Sequence, residues 1–189
     1  MNKINKNIIQ FSPIRSGSTL VYNILRELFV NVNKTHNIKF NNSTNYVVTI
    51  RHPYNSIISS IIRLNKDLNE ENIIKHINEY KKNGGIDITS IKKQKNICLL
   101  QYENFINNFS YITNKLQSHF EISIEPETKI RLYEKYNINE VYNYTKKYKD
   151  FSEYDNITHI HGNHISKYKG LTNYNDILSN EKISLLKDD

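Results

Sequence analysis

Hydrophobic positions along the chain alternate between short continuous runs and longer periodic stretches. Ile8-Ile9-Gln10-Phe11 is a short β-prone run closed by Ser12-Pro13. From Ser18 to Phe29 the apolar residues Leu20, Ile24, Leu25 and Leu28 share one face, which predicts a helix. Val30-Asn31-Val32 starts a second extended piece that runs into Lys34-Thr35-His36, and the polar stretch Asn37 to Asn45 predicts a loop. Tyr46-Val47-Val48-Thr49-Ile50 is almost continuously apolar or β-branched, the pattern of a buried parallel strand. Pro53 opens a helix with Ile57, Ile58, Ile61, Ile62 and Leu64 on its apolar side. Asn69 to Lys82 is a more polar helix ended by Gly84-Gly85. Ile97-Cys98-Leu99-Leu100 is another buried strand. Phe105 to Phe120 reads as one helix striped by Phe109, Ile112, Leu116 and Phe120, and after Pro126 a helical pattern continues to about Tyr148. The tail from Phe151 is irregular, carries three histidines and ends in a short helix near Ser179. Strands alternating with helices predict an α/β class domain with a central parallel sheet flanked by helices. No repeat or linker interrupts the pattern, so residues 1–189 are read as a single domain.

Composition changes which residues carry information. The chain has no Ala, 5 Gly and 3 Pro against abundant Asn, Ile and Lys, a drift that makes clusters of Lys or Asn poor markers of a site. The scarce residues are worth locating, and Arg is among them: Arg15, Arg26, Arg51, Arg63 and Arg131 are all there are. The net charge of +7 favours an anionic partner, from nucleic acid to nucleotides, without choosing between them. Cys98 is the only cysteine, so no intramolecular disulfide forms, which fits a reducing compartment. With no signal-like segment and no apolar run of membrane-spanning length, a cytoplasmic protein without membrane attachment is expected.

Two strand ends gather the scarce residues. Ser12-Pro-Ile-Arg-Ser-Gly-Ser-Thr19 joins a strand to a helix and holds the only Gly before residue 84. Free N–H groups at a helix start favour an anion, Gly17 permits close backbone approach, and Arg15 adds a forked cation. The loop lacks the Gly-Lys-Ser/Thr ending of a Walker loop. Taken alone, it equally describes a plain helix capped by Ser16 or Ser18. Ile50-Arg51-His52-Pro53 repeats the layout at the next strand end, with Ser59 eight residues after Arg51. Ligands of open α/β sheets bind beyond the carboxyl ends of strands, where both arginines fall. His36 follows an extended piece, and a histidine there suits a general base.

Together these residues resemble the sulfotransferase family that uses 3'-phosphoadenosine 5'-phosphosulfate (PAPS). Ser12 to Thr19 is similar to its 5'-phosphosulfate loop, with Ile14 inserted between the proline and the cation. Tyr46 to Pro53 and Ser59 match its 3'-phosphate segment, with His52 in place of the usual Asp or Asn. Lys34-Thr35-His36 matches the Lys-Thr-His of many cytosolic members, Leu99 to Phe105 is similar to the strand ending in Tyr-Glu-Asp-Leu, and Lys167-Tyr168-Lys169-Gly170 echoes the C-terminal basic segment. The resemblance implies a P-loop NTPase-like sulfotransferase fold and sulfuryl transfer from PAPS to a hydroxyl or amine of a small-molecule or glycan acceptor. It implies that Ser16, Gly17, Ser18 and Thr19 bind the 5'-phosphosulfate and that Arg51 and Ser59, with Lys167 or Lys169, bind the 3'-phosphate. Tyr102 lies at the adenine, Arg15 and Lys34 stabilise the leaving group, and His36 is the base; Glu27 is the alternative, because some Golgi-type members use a glutamate. Neither a metal nor a nucleic acid is implied. Only about twenty residues separate Arg15 from His36, so the acceptor side is reduced. A P-loop nucleotide kinase and a basic nucleic-acid-binding module are the competing readings. The His159-x-His161-x-x-His164 spacing matches no known zinc pattern.

Overall fold

The computed structural model describes residues 3–36, 40–82, 94–165 and 168–187. Four parallel strands form the sheet: β1 (Ile4–Phe11), β2 (Phe29–Thr35), β3 (Asn45–Ile50) and β4 (Ile97–Gln101), in spatial order β2-β1-β3-β4. Helix α1 (Ser18–Leu28) connects β1 to β2 and passes into β2 without a loop, because Phe29 takes extended geometry directly after the last turn. β3 then lies on the other side of β1, so the strand order reverses between β1 and β3. Phe11 pairs with Thr35 on one side and Val48 on the other, which brings the carboxyl ends of three strands to one edge.

The strand patterns explain the two faces. Ile8, Val47, Cys98 and Leu100 point to the face covered by α1 and the helices that follow β4, where they share a core with Val21, Ile24, Leu25 and Leu28. Tyr46, Val48, Ile50, Ile97 and Phe11 point to the opposite face and pack with Phe40, whose ring meets Phe11 and Tyr46 edge-on. β3 is buried on both faces, which is why it reads as a continuous apolar run.

After β3 come α2 (Pro53–Arg63) and α3 (Glu70–Lys82), packed through Ile57, Ile58, Ile61, Ile73 and Ile77. After β4 come α4 (Tyr102–Phe105), α5 (Ser110–Phe120), α6 (Pro126–Tyr136) and α7 (Ile138–Thr145). The single helix expected over Phe105 to Phe120 is therefore interrupted at residues 106–109. The one expected from Pro126 to Tyr148 is split at Asn137, whose side chain accepts from the N–H groups of Asn139 and Glu140 and starts a new helix. The short helices α8 (Tyr174–Ile177) and α9 (Asn180–Lys187) pack on the α2–α3 cluster. Gly84-Gly85, read as the stop of α3, lies outside the described residues.

A small polar knot sits under the β1–α1 turn. Ser16 Oγ donates to the Pro13 carbonyl at 2.8 Å and lies 3.2 Å from Thr49 Oγ1, which also accepts from Gln10 Nε2 at 3.4 Å. All three side chains are fully buried, so each hydrogen bond answers a desolvated group. Thr49→Val keeps the shape and removes the shared hydroxyl. It is expected to cost about 1–3 kcal/mol by leaving its partners unsatisfied, read as a lower urea midpoint; an unchanged midpoint means the knot does not hold the turn.

Candidate functional site

The turn after β1 is tightly constrained. Arg15 and Gly17 both take left-handed backbone conformations, φ 58° and 80°. Gly17 is also pressed by aromatic edges: a Cβ there would lie 2.7 Å from Phe105 Cζ and 2.9 Å from Tyr102 Cδ2. Gly17 is the N-cap of α1 and no side chain caps the helix, so neither Ser16 nor Ser18 plays the plain capping role. Ser16 instead turns its hydroxyl inward to the polar knot. The first N–H groups of α1 lack intrahelical partners, and no acidic residue stands in its first turn.

Two arginines meet beside this turn without a carboxylate between them. Arg51, 6% exposed, donates from Nη1 to the Arg15 carbonyl at 3.2 Å and from Nη2 to the carbonyls of Gly170 and Thr172 at 3.2 and 3.0 Å. Its guanidinium lies 4.3 Å over the Tyr102 ring, its Nε has no partner, and burial lowers its pKa. Tyr102 donates its hydroxyl to the same Gly170 carbonyl at 3.1 Å. Arg15 donates from Nε to Ser59 Oγ at 3.3 Å and from Nη2 to the His164 carbonyl at 3.1 Å. Burial, then the charges of Arg63 and Arg51, push the Arg15 guanidinium down to about 10, so it stays charged at neutral pH. Lys34, on β2, donates to Thr19 Oγ1 at 2.8 Å, and burial pushes its ammonium down to about 8.

These groups border a cavity of about 230 Å³. Arg15, Gly17, Ser18, Thr19, Arg51 and Ser59 are among its polar lining, and Phe105, Ile106, Phe109 and Tyr133 among its apolar lining. Among the described residues no Asp or Glu lines it. A helix start with open N–H groups, a buried and a half-buried guanidinium and no carboxylate among the described lining residues fit an anion carrying a flat apolar group. The cavity lies where the strand order reverses, at the carboxyl ends of β1 and β3.

No protein-family model and no curated protein sequence matches the chain. Solved structures do. The chain is similar to mouse sulfotransferase SULT7A1 complexed with PAP, at 11% identity and TM-score 0.62, covering all of this chain and 83% of that one. It is also similar to retinol dehydratase in complex with androsterone and the inactive cofactor PAP, at 14% identity and TM-score 0.62, covering 96% of this chain and 80% of that one. The chain has the sulfotransferase fold.

Within this fold the residues expected from the sequence fall into three groups. Arg15, Gly17, Ser18, Thr19, Arg51, Ser59 and Tyr102 meet at the cavity. Ser16 lies beneath it and Lys34 adjoins it through Thr19. His36 is exposed and off the cavity wall, its Nδ1 2.9 Å from the Ser12 carbonyl. That carbonyl only accepts, so Nδ1 carries the proton and Nε2 the lone pair. Burial, then Lys34, lower the pKa of His36 against the raising effect of the Ser12 bond, which leaves it neutral at pH 7. Lys169 does not line the cavity itself but donates at 3.1 Å to Asn139 Oδ1, which does, with its ammonium over the Tyr142 ring, and the adjoining Gly170 reaches the cavity. Lys167 lies outside the described residues. His52, in the position of an acidic or amide residue in the resemblance, stacks on Tyr174 while its N–H donates to Glu103.

Glu27 has other work. It accepts from Lys135 at 2.7 Å, Arg131 at 3.0 Å and Tyr136 at 3.1 Å, tying α1 to α6. Burial alone raises its carboxyl, but the bonds from Lys135 and Arg131 reverse this and hold it at about 2. A carboxylate so low has little affinity for an acceptor's proton. Sequence reasoning did not place Phe105, Ile106, Tyr133 or His164 on the cavity wall. The aromatic and apolar ones were legible only as helix-face residues, and His164 is 149 positions from the Arg15 it serves. Among the described residues no cluster of three or more His, Cys, Asp or Glu is arranged to hold a metal. His161 and His164 pair with each other, while His159 turns to the Tyr22 ring. No helix of the described residues is long and apolar enough to cross a membrane.

Gly17→Ala puts a methyl against Phe105 and Tyr102 at positive φ. We expect a loss of about 1–3 kcal/mol in unfolding free energy, with Phe105→Ala in the same chain partly relieving the clash in a double-mutant cycle; strict additivity rejects the contact. Glu27 predicts an acid limb. Its folded pKa of about 2 lies below the roughly 4.3 of an unfolded glutamate, so its stabilisation is complete above the unfolded value and lost as pH falls toward the folded one. Glu27→Gln is expected to flatten that limb in urea titrations at stepped pH, and an unaltered limb rejects the ion cluster as its source.

Proposed function

We propose that this chain transfers a sulfuryl group from PAPS to a hydroxyl or amine of a small-molecule or glycan acceptor and releases 3',5'-bisphosphoadenosine. The observation that carries the reading is the buried Arg51 and half-buried Arg15 beside an uncapped helix start, in a cavity that no carboxylate of the described residues lines, at the strand-order reversal of a sulfotransferase fold. The two similar structures were each solved with PAP, which supports a nucleotide of that kind here.

In this reading the N–H groups of Gly17, Ser18 and Thr19 receive the 5'-phosphosulfate, and the hydroxyls of Ser18 and Thr19 add donors. Arg51 and Ser59 hold the 3'-phosphate, joined by basic residues of the segment that contains Lys167 and Lys169. Tyr102, Phe105 and Phe109 flank the adenine. An acceptor oxygen attacks sulfur in line, the bond from sulfur to the bridging oxygen breaks, and Arg15 with Lys34 stabilises the charge that grows on that oxygen. Lys34 suits this role: held near 8 by burial, it is still charged at neutral pH and responds strongly to a nearby anion. The acceptor's proton passes to a histidine. His36 and His164 both meet the electronic requirement, each neutral with a lone pair on Nε2.

A ligand-stabilisation series tests the donor class. 3',5'-Bisphosphoadenosine is expected to raise the unfolding midpoint, by about 2.7 kcal/mol of stability at one hundred times its dissociation constant. AMP and ATP are expected to act far more weakly. Arg51→Lys is expected to cost the bisphosphate roughly tenfold in affinity while leaving that of AMP in place. Equal stabilisation by ATP favours the kinase-like reading, and equal loss for both ligands removes Arg51 from the 3'-phosphate.

A further inference from the structure

Among the described residues His164 is the one imidazole on the cavity wall, and its carbonyl accepts from Arg15, which lines the same cavity. Its Nδ1 lies 3.0 Å from Nε2 of His161. Chemistry fixes the order of protons in this pair. Nδ1 of His161 is hydrogen-bonded to the Gly162 carbonyl, which only accepts, so that nitrogen carries the proton. Neutral His161 then has its lone pair on Nε2 and must accept from Nδ1–H of His164. Nε2 of His164 is left as a lone pair, with no protein partner among the described residues.

The backbone around the pair is built for this placement. His159 and Asn163 both take left-handed conformations, φ 58° and 56°, a costly choice outside glycine. Gly162 admits no side chain, since a Cβ would lie 2.5 Å from the backbone N and O of Asp150. The segment is tied down from three elements: Arg15 donates to the His164 carbonyl, Asn23 to the Thr158 carbonyl at 2.8 Å and Arg26 to the Ile157 carbonyl, while Tyr144 donates to Asp155 Oδ2 at 3.0 Å. The charges facing the pair are Arg15 from the β1–α1 turn, Lys34 from β2 and Arg63 from α2, all cationic. With burial first, these cations hold both imidazoles neutral at pH 7, and His164 most strongly. An arriving donor anion offsets the same three charges, so His164 gains basicity when the donor is bound.

We propose that His164 is the general base of the transfer, with His161 as the positioning residue that fixes its tautomer. The proposal rests on the sulfuryl-transfer reading. As the acceptor oxygen forms its bond to sulfur, its proton moves to Nε2 of His164. The electron pair of the breaking sulfur–oxygen bond stays with the phosphate of 3',5'-bisphosphoadenosine. His161 stabilises the resulting imidazolium through the Nδ1–H bond, and the proton leaves to water. His36 faces Lys34 and the Ser12 carbonyl but not the cavity, which sets it apart from this position.

The test uses the full chain with water as the acceptor, following inorganic sulfate released from PAPS, beside stabilisation by 3',5'-bisphosphoadenosine. His164→Gln is expected to keep the bisphosphate-induced rise in unfolding midpoint, which also shows that it folds, and to lose roughly 100- to 10,000-fold in sulfate release. Long-range ¹H–¹⁵N spectra of the wild-type chain are expected to show His164 protonated on Nδ1, with its titration midpoint moving up when the bisphosphate is added. His161→Phe is expected to mix the two tautomers of His164 and shift the pH–rate profile, with His161→Gln restoring the single tautomer. Sulfate release kept in His164→Gln and lost in His36→Gln overturns the assignment, as does a wild-type chain that binds the bisphosphate with His164 unmoved. A wild-type chain that the bisphosphate does not stabilise at all overturns instead the donor reading beneath it.

Discussion

Buried positive charge without a buried countercharge is the constraint around which this molecule is arranged. Arg51 is buried and Arg15 half-buried, yet their hydrogen bonds go to backbone carbonyls and a serine hydroxyl, and Arg51 lies over a ring face. Carbonyls solvate a guanidinium but do not neutralise it, so the desolvation penalty of a buried ion is only partly offset. Much else follows from meeting the geometric demands of those bonds. Arg15 adopts a left-handed backbone, the carbonyls of His164, Gly170 and Thr172 are drawn to the strand ends, and Tyr102 lies beneath Arg51 and shares the Gly170 carbonyl with it. A ligand anion enters this arrangement as the missing term in the local charge balance.

The rigidity needed to keep such groups apart in the free protein comes from below and from the side. The knot of Gln10, Thr49 and Ser16 fixes the turn to both strands whose ends carry the arginines. The Glu27 cluster fixes α1 to α6, which carries part of the aromatic wall. The knot lies beneath the cavity and the Glu27 cluster meets it only through Tyr136, yet both help to fix its walls. Preorganisation of this kind is what lets charge stabilisation act without reorganising the site during reaction.

The architecture was legible because β3 and β4 leave nearly continuous apolar runs, while β1 and the edge strand β2 showed as the short pieces Ile8 to Phe11 and Val30 to Val32. The two strand-end motifs were legible because Arg, Gly and Pro are rare in this composition, so their coincidence stood out. What stayed hidden depends on distance or on competition between local signals. The stripe from Phe105 to Phe120 looks like one helix, but Phe105 is required over Gly17 and Phe109 against Tyr133, and the chain breaks between them to serve both. Asn137 was a recoverable signal, since an asparagine within a helical pattern is a good cap. His164 was marked only as one of three closely spaced histidines that match no zinc pattern; its place at the cavity is made by a carbonyl bond to a residue 149 positions earlier.

That span has a consequence for how the site comes into being. The bonds from Arg15 and Arg51 close loops of 149, 119 and 121 residues, the longest-range hydrogen bonds of the strand-end cluster. Contacts so distant in sequence carry the largest chain-closure cost and form after local structure in a folding chain. On the ribosome, β1, α1 and both arginines are complete long before residue 172 emerges. Until it does, the two guanidiniums remain open to water and to passing anions, and the carbonyls of Gly170 and Thr172 hold Arg51 only once that segment has docked.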